Sequence, residues 1–193
     1  MGDMTEPDLV VNRHTLEDVL AQLVDEKPGF PPHQAEAVRE DAAAGEPEIA
    51  FDWLVSWLID EYVPLAPSYF RRLEAVANYL GDKRSWYSVA CLRDQVQWDG
   101  PPPEQADPPL NATTAPRVVL SLIAECQELE GGARRDALEA VDAGDPRAGL
   151  QELVTWIEVF ETPTTPWFLR NATRVAEFYH DNPLSQRLDA LPH

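Results

Sequence analysis

Residues 45–70 read GEPEIAFDWLVSWLIDEYVPLAPSYF, and residues 144–169 read GDPRAGLQELVTWIEVFETPTTPWFL. Each stretch opens on a glycine with a proline two positions later, continues as a long apolar segment, and closes on a proline-containing turn. A glycine is typical of the residue that follows a helix, and a proline is tolerated in the first turn of the next one. The same signals at the same spacing predict one helical unit that occurs twice in the chain.

The repeat aligns without a gap from about Val19 and Val118 to Leu80 and Tyr179, at an offset of 99 positions. Glycine, proline and tryptophan are prominent among the matches, and they fix turns and large packing volumes, so the matches indicate a duplicated fold more than a duplicated site. Trp57 and its counterpart Trp156 are interpreted as core residues, with a ligand site as the alternative. The identical pairs include Leu23/Leu122, Gly45/Gly144, Pro47/Pro146, Trp57/Trp156, Pro64/Pro163, Pro67/Pro166 and Arg71/Arg170.

Apolar residues recur at helical spacing throughout both copies. In the first copy Thr15 is a predicted N-cap, Gly45 ends the second helix, Pro47 starts the third and Pro64 ends it. A shorter segment, SWYSVACLRDQV, is predicted to be helical as well. No stretch alternates as a half-buried strand does. The sequence therefore predicts an all-α protein, built as two tandem four-helix units related by an internal repeat.

Residues 99–116, DGPPPEQADPPLNATTAP, separate the two copies. This segment is rich in proline and has no apolar periodicity, which is typical of a semi-rigid linker. The predicted organisation is a first repeat unit over residues 1–98, a linker over residues 99–116 and a second repeat unit over residues 117–193.

The chain has 193 residues, of which 44% are hydrophobic, and a formal net charge of −19. The hydrophobic content indicates a folded protein rather than a disordered one. Acidic residues outnumber basic ones in both copies, by 18 to 8 in residues 1–98 and by 13 to 7 in residues 117–193. Such a field repels nucleic acid and anionic membranes and favours basic partners, so we expect neither direct nucleic-acid binding nor membrane binding. Simple solubility, or adaptation to a salty cytoplasm, is the alternative reading.

Little in the sequence points to catalysis. The four histidines are scattered, the two cysteines are far apart, and neither a GxSxG motif nor a glycine-rich phosphate loop occurs. We therefore predict no enzymatic activity, no metal site and no cofactor. The opening residues MGDMTEPD lack the features of a signal peptide, and no apolar run is long enough to span a bilayer. These observations predict a cytoplasmic protein, in which the glycosylation sequons at Asn111 and Asn171 are chance matches.

The third helix of the first copy is apolar nearly all round, and its polar positions are mainly Asp52, Ser56 and Asp60. Its counterpart in the second copy, which includes Glu158, has a broader polar face. A helix that is apolar on all sides is either central in its bundle or exposes part of that surface to a partner. We expect the first of these helices to be the more deeply covered.

Acidic and aromatic residues concentrate in and after the third helix of each copy. Aromatic rings supply rigid contact area while carboxylates meet cations, so these residues are the predicted partner-binding surface. The alternative is that the rings are buried and the acids are merely solvated. The candidates are Asp52, Asp60, Glu61, Tyr62, Tyr69, Glu158, Glu161 and Trp167.

The run from Gly45 to Tyr69, followed by the helix that carries Leu73 and Val76, resembles the MafI-type immunity proteins of bacterial polymorphic toxin systems. Their small helical domains have a Gly-Glu step after one helix, an alanine and apolar residues in the next helix, an acidic or aromatic turn with proline, and a final amphipathic helix. The resemblance covers residues 15–85 and, more weakly, residues 115–190. In the second copy the Gly-Glu step becomes Gly144-Asp145, and most relatives have one unit rather than two.

The resemblance implies a cytoplasmic antidote that binds a cognate toxin and occludes its active site. Many such toxins are nucleases, whose substrate groove must be basic, and an acidic helical surface would steer towards such a groove. The alternative function is an acidic helical scaffold or regulatory adaptor that binds a basic protein partner.

Overall fold

A computed structural model describes residues 11–13, 15–98, 107, 109–126, 129 and 131–191. The described residues form ten α-helices and one short 3-10 turn, and they contain no β-strand beyond a single isolated bridge between Leu65 and Val96. The predicted all-α class is confirmed. The chain divides into two compact units, Met1–Pro101 and Pro102–His193.

Each unit has five α-helices, one more than the predicted four-helix unit. In unit 1 the additional helix, Lys83–Cys91, lies largely on the segment SWYSVACLRDQV, which was predicted to be helical, whereas its counterpart in unit 2, Asn182–Leu188, was not predicted. Both helices are short, so their periodic signal is weak. Asp82 and Asp181 cap them at the N-terminus. Unit 1 consists of α1 (Leu16–Asp25), α2 (Pro32–Ala44), α3 (Pro47–Asp60), α4 (Pro67–Leu80), α5 (Lys83–Cys91) and the 3-10 turn Arg93–Gln95. Unit 2 consists of α6 (Ala115–Glu125), α7 (Gly131–Asp142), α8 (Pro146–Phe160), α9 (Pro166–Phe178) and α10 (Asn182–Leu188).

The helices of the two units begin at matching positions. Every helix of unit 2 starts 99 residues after the helix of the same rank in unit 1, which is the offset of the sequence repeat. This common spacing is what a duplication would produce, and it supports the internal repeat, which stays a prediction. The paired first residues are Leu16 and Ala115, Pro32 and Gly131, Pro47 and Pro146, Pro67 and Pro166, and Lys83 and Asn182.

Left-handed backbone also recurs at matching positions, always just after a helix. Helices often end on such a residue, which lets the following N–H groups bond back to carbonyls of the last turn. After α3 and α8, for example, Val63 N donates to Leu58 O and Thr162 N donates to Ile157 O, each at 3.1 Å. The paired φ angles are +86° at Gly45 and +90° at Gly144, +49° at Tyr62 and +50° at Glu161, and +73° at Gly81 and +55° at His180.

The predicted helix boundaries in unit 1 are largely correct. Gly45 follows α2 in the left-handed conformation and Pro47 opens α3, as predicted. Thr15 precedes α1, but its side chain does not cap that helix; its hydroxyl accepts a hydrogen bond from Asn12 N at 3.0 Å.

Half of the predicted linker, residues 99–106 and 108, lies outside the described residues. Its last two positions, Ala115 and Pro116, belong to α6, because proline fits the first turn of a helix. Asp107 accepts hydrogen bonds from Arg170 Nε and Asn171 Nδ2 at 3.0 Å, which ties this part of the segment to α9.

Each unit has its own apolar core. In unit 1 Leu20, Phe51 and Phe70 are fully buried, and Trp57 is partly buried with its ring edge-on to Phe30 at 4.8 Å between centroids. Trp57 therefore packs at the border of the core, as its interpretation as a core residue requires.

The core of unit 2 is closed by a close approach of α7 and α8. Gly149 of α8 lies so near α7 that a Cβ atom there would stand 2.6 Å from Val141 Cγ2 and 2.9 Å from Ala137 O. A glycine is required at position 149 because any side chain would separate the two helices.

Trp156 of unit 2 is partly buried and stacks on Phe160 at 5.5 Å between ring centroids.

The expectation that α3 is more deeply covered than α8 stays a prediction: four of the 14 residues of α3 are exposed and five are buried, against six exposed and six buried of the 15 residues of α8. Ile49 and Trp53 of α3 are 50% and 48% exposed. The residues of α3 that face the core of unit 1 lie on the opposite side of the helix, so the apolar side chains of Ile49 and Trp53 remain at the surface.

Candidate functional site

The predicted acidic and aromatic turn lies at the C-terminal end of α3. Asp60, Glu61 and Tyr62 are all exposed, and Tyr62 is 68% exposed in the left-handed conformation. The buried Gln95 stabilises the turn: its side-chain amide, oriented with its nitrogen towards the acceptors, donates to Leu58 O and Val63 O at 3.0 Å each. The turn thus presents two carboxylates and a phenol on a fixed backbone.

Tyr69 does not belong to that surface. Its side chain is 3% exposed, on the core side of α4, and its hydroxyl donates to Leu23 O at 2.8 Å. Burial raises the pKa of Tyr69 above its ordinary value. The prediction of a partner-binding role was wrong here, because position 69 lies on the core-facing stripe that also contains Leu73 and Val76.

The candidates in unit 2 do not form a comparable acidic turn. Glu158 receives two hydrogen bonds from Arg187, at 3.0 and 2.8 Å, and that guanidinium lowers the pKa of Glu158. Glu161 is exposed, whereas Trp167 is partly buried and its enclosed indole Nε1 has no hydrogen-bond partner among the described residues. At the end of α8 the exposed side chains that correspond to Asp60 and Glu61 are Val159 and Phe160.

An exposed face of α3 lies next to the acidic turn, and of its residues the sequence reading singled out only Asp52 as a binding residue. Glu48, Ile49, Asp52 and Trp53 form a continuous stripe at helical spacing, and we call these four residues the α3 face. Together with Arg84, Ser85 and Ser88 of α5, they line a groove of about 310 Å³. Asp60 continues the stripe two turns further on, about 10 Å from Trp53 along the helix axis.

A second groove adjoins the α3 face on its other side. It has a volume of about 670 Å³, and Glu48 lines both grooves. Its other lining residues include Arg13, Glu17 and Tyr79, which is 41% exposed. Two aromatic rings, Trp53 and Tyr79, therefore flank the N-terminal part of α3 beside carboxylates.

The equivalent surface of unit 2 is filled by a hydrogen-bonded network. Asp181, only 2% exposed, accepts from Arg147 Nε at 2.8 Å and from Gln151 Nε2 at 2.6 Å, and it caps α10 through Leu184 N at 3.2 Å. Arg147 and these further donors hold the pKa of Asp181 below its ordinary value. Arg147 and Gln151 stand where unit 1 has Glu48 and Asp52, and exposed Glu152 stands where unit 1 has Trp53.

A comparison of the two sequence copies contained a signal that positions 52 and 53 of α3 point outwards. A position that holds tryptophan in one copy and glutamate in the other does not face the core in both copies, because burying an unpaired carboxylate is costly. The pair Trp53 and Glu152, and the pair Asp52 and Gln151, therefore indicate outward positions.

Chemical groups that could act on a substrate are few in the described part of the chain. No group of three or more His, Cys, Asp or Glu side chains there is arranged to hold a metal ion. Burial raises the pKa of the Cys126 thiol to about 12, so it stays protonated near neutral pH. None of the helices within the described ranges combines the length and apolarity that crossing a membrane requires.

A comparison of the chain with protein-family models, with curated proteins and with solved structures finds no match. The geometry of the α3 face and the acidic turn, together with the charge, is therefore the basis on which a function is inferred.

Proposed function

We propose that this chain is a cytoplasmic, non-enzymatic immunity protein that binds a basic, nuclease-type toxin and neutralises it by covering its active site. The observation that carries the proposal is the exposed surface of α3, where Trp53 and Ile49 lie beside Glu48 and Asp52 and run on to Asp60, Glu61 and Tyr62. The resemblance of residues 45–69 to MafI-type immunity proteins supports the same assignment.

The charge distribution supports a basic partner. A chain with a net charge of −19 attracts a cationic protein over a distance set by the ionic strength, about 8 Å at physiological salt. Attraction of this kind raises the rate of association more than it raises the final affinity. An antidote gains from rapid capture, because a free nuclease acts on the cell until it is bound.

The mechanism of neutralisation is occlusion. A nuclease must hold phosphates in a basic groove, and carboxylates such as Asp60 and Glu61 can occupy the same cationic positions. The exposed rings of Trp53 and Tyr62 would exclude water around those ion pairs, which strengthens them. Neutralisation in this way requires no bond-making step by the chain.

Co-expression with the protein encoded directly beside this chain tests the proposal. We expect the C-terminal domain of that neighbour to arrest bacterial growth when expressed alone, and growth to be restored when the full chain is expressed with it. The two proteins are expected to co-elute in gel filtration. Survival that does not depend on the chain would contradict the proposal, and a stable complex without protection would favour the adaptor function instead.

Charge reversal at the acidic turn refines the test. Asp60→Lys with Glu61→Lys is expected to lower the association rate about tenfold at low salt and to weaken its salt dependence. The matched control is Glu36→Lys with Glu40→Lys, since both residues are exposed on α2 and the change in net charge is the same. Equal effects of the two pairs would show that only the overall charge matters and that the turn is not in the interface.

A further inference from the structure

We propose that the α3 face of unit 1, and not the equivalent surface of unit 2, is the docking site, and that its occupant is a partner segment that presents arginine or lysine beside apolar side chains. The identification of that partner as a toxin rests on the proposed function. The location of the site and the chemistry of its occupant rest on the groove between α3 and α5.

The face combines apolar area with negative charge. Ile49 and Trp53, one helical turn apart, are each about half exposed, and Glu48 and Asp52 run alongside them at the same spacing. Tryptophan is enriched among the residues that dominate binding energy in protein interfaces. A purely apolar occupant would leave the two carboxylates desolvated and unpaired, and a purely charged one would leave the tryptophan in water, so the complement is basic and apolar together.

The groove already contains a cation of the chain's own. Arg84 Nη2 lies 2.8 Å from Asp52 Oδ2, and the Arg84 side chain is 75% exposed. An ion pair this exposed contributes little to stability, so it can exchange for another. Arg84 marks the position at which a guanidinium or ammonium group of a partner would meet Asp52.

At the equivalent positions of unit 2, Arg147 and Gln151 are already paired within the unit. Asp181 is buried, and its carboxylate is already engaged by Arg147, Gln151 and the N-terminus of α10. Further along, Arg187 spans from α10 to Glu158 and donates to Thr155 Oγ1 at 2.8 Å. The carboxylates of Asp181 and Glu158 are engaged within the unit, and the position of the exposed tryptophan is held by Glu152, so this surface lacks the aromatic anchor of unit 1.

The experiment compares substitutions at two positions 99 residues apart in the full chain. Trp53→Ala is expected to weaken the complex with the neighbouring-gene toxin domain at least about 30-fold, since an interfacial anchor of this type contributes about 2 kcal/mol or more. Glu48→Gln with Asp52→Asn is expected to weaken it about tenfold. Glu152→Ala, the matched control, is expected to change affinity less than about twofold, because its environment is exposed and outside the site. Arg84→Ala is expected to leave affinity unchanged or to increase it, because it removes the internal competitor.

A second probe keeps the docking site and the proposed function separable. It is a synthetic 16-residue amphipathic peptide with arginine and leucine on one face, compared with a version in which glutamate replaces arginine. Binding of the arginine peptide, lost with Trp53→Ala and absent for the glutamate peptide, supports the docking site even if the toxin domain is not neutralised, and that result would overturn only the immunity function. Protection from the toxin that is unaffected by Trp53→Ala supports immunity and overturns the docking site.

Self-association is the remaining competitor. If sedimentation shows that the full chain dimerises and that Trp53→Ala abolishes the dimer, the occupant of the α3 face is a second copy and the proposal is wrong. Amide hydrogen exchange of the helices of unit 1 should be unchanged in Trp53→Ala, since the side chain is half exposed. If binding is lost and the amides of unit 1 also exchange faster, the substitution acts by unfolding. The pair Glu48→Gln with Asp52→Asn then decides, and its failure to weaken binding overturns the proposal.

Discussion

Unit 1 and unit 2 share a plan of helices and differ in what they place outside it. Their helices start 99 residues apart, and the left-handed residues after α2, α3 and α4 recur after α7, α8 and α9. Over the third helix the surfaces are opposite in character: unit 1 exposes Trp53 beside carboxylates, while unit 2 closes the same place with the Asp181 network. The positions that set turns and packing are shared, and the outward positions are free to carry function.

The C-terminal end of the third helix also differs between the units, but here unit 1 exposes acidic side chains and unit 2 exposes apolar ones. Unit 1 exposes Asp60 and Glu61, whereas unit 2 exposes Val159 and Phe160. Two units with the same order and spacing of helices therefore need not present the same surface. The following substitutions test how far the likeness and the difference between the units extend.

The largest expected effect is at the cap of the last helix. Asp181→Ala removes a buried carboxylate that accepts from Arg147, Gln151 and Leu184 N, and we expect unit 2 to lose about 3 kcal/mol of stability. Asp82→Ala in unit 1, where the carboxylate accepts from Ser85 N at 2.8 Å in a half-buried place, should cost about 1 kcal/mol. Amide hydrogen exchange of the full chain, read separately for the helices of each unit, measures both. Equal losses would mean that the network adds nothing to the cap.

The next effect tests the packing of α7 on α8. Gly149→Ala places a methyl group against Val141 and Ala137, and we expect a loss of about 2 kcal/mol in unit 2. Adding Val141→Ala should recover part of that loss, because it gives unit 2 the small pair that unit 1 has at Ala42 and Ala50. Thermal unfolding of the single and double variants checks this.

The control for that prediction is Gly132→Ala, since a Cβ atom there would meet nothing within 4 Å. It should be neutral or slightly stabilising, because alanine favours a helix over glycine. A double variant that is no more stable than Gly149→Ala alone would contradict the correspondence of the two helix pairs.

A smaller effect is expected where the left-handed residue differs. His180 has φ +55°, and its counterpart Gly81 has φ +73°. Because a side chain is strained in this conformation, His180→Gly should stabilise unit 2 by about 0.5 to 1 kcal/mol, and Gly81→Ala should destabilise unit 1 by about 1 kcal/mol. Chemical denaturation measures both changes. A destabilising His180→Gly would mean that the histidine side chain contributes contacts that outweigh the strain.

The smallest expected effect is on the stability of each unit in acid, and here the two units should behave alike. The pKa of Glu26 is lowered by its hydrogen bonds from Arg72, and the pKa of Glu158 is lowered by those from Arg187. A carboxyl whose pKa is lowered on folding stabilises the protein above its ordinary pKa of 4.5, and this stabilisation is lost as the pH falls through the lowered value.

Glu26→Gln and Glu158→Gln should therefore each reduce the acid sensitivity of stability below pH 4.5, by less than about 1 kcal/mol, because both pairs are partly exposed. Stability measured as a function of pH at low and high salt checks this. An effect that persists in high salt would show that the pairs are shielded from solvent more than their exposure suggests.

The sequence was sufficient to predict the fold wherever glycine and proline mark helix ends. Gly45 and Pro47 place the boundary of α2 and α3 correctly, because few other conformations suit these residues. It also placed a short helix near α5, but it was insufficient for α10, which is short and depends on tertiary contacts as well as on its cap Asp181.

The candidate site was only partly predictable. Asp60, Glu61 and Tyr62 lie exposed together, as a surface requires, but Tyr69 is buried and Trp53 was not singled out. Burial of an aromatic ring depends on which side of its helix faces the core, and α3 is apolar nearly all round, so periodicity does not settle its orientation. The buried network of Asp181 joins residues more than 29 positions apart and follows from packing that no local pattern encodes.

The most direct measurement is a photo-cross-linking comparison of the two equivalent positions. A benzoylphenylalanine introduced at position 53 or at position 152 of the full chain is irradiated in the presence of the neighbouring-gene toxin domain. A cross-link to the toxin from position 53 and none from position 152 is the predicted result. A cross-link from position 152 alone, or equal cross-links from both, would contradict the account that one copy of the repeated unit carries the docking face.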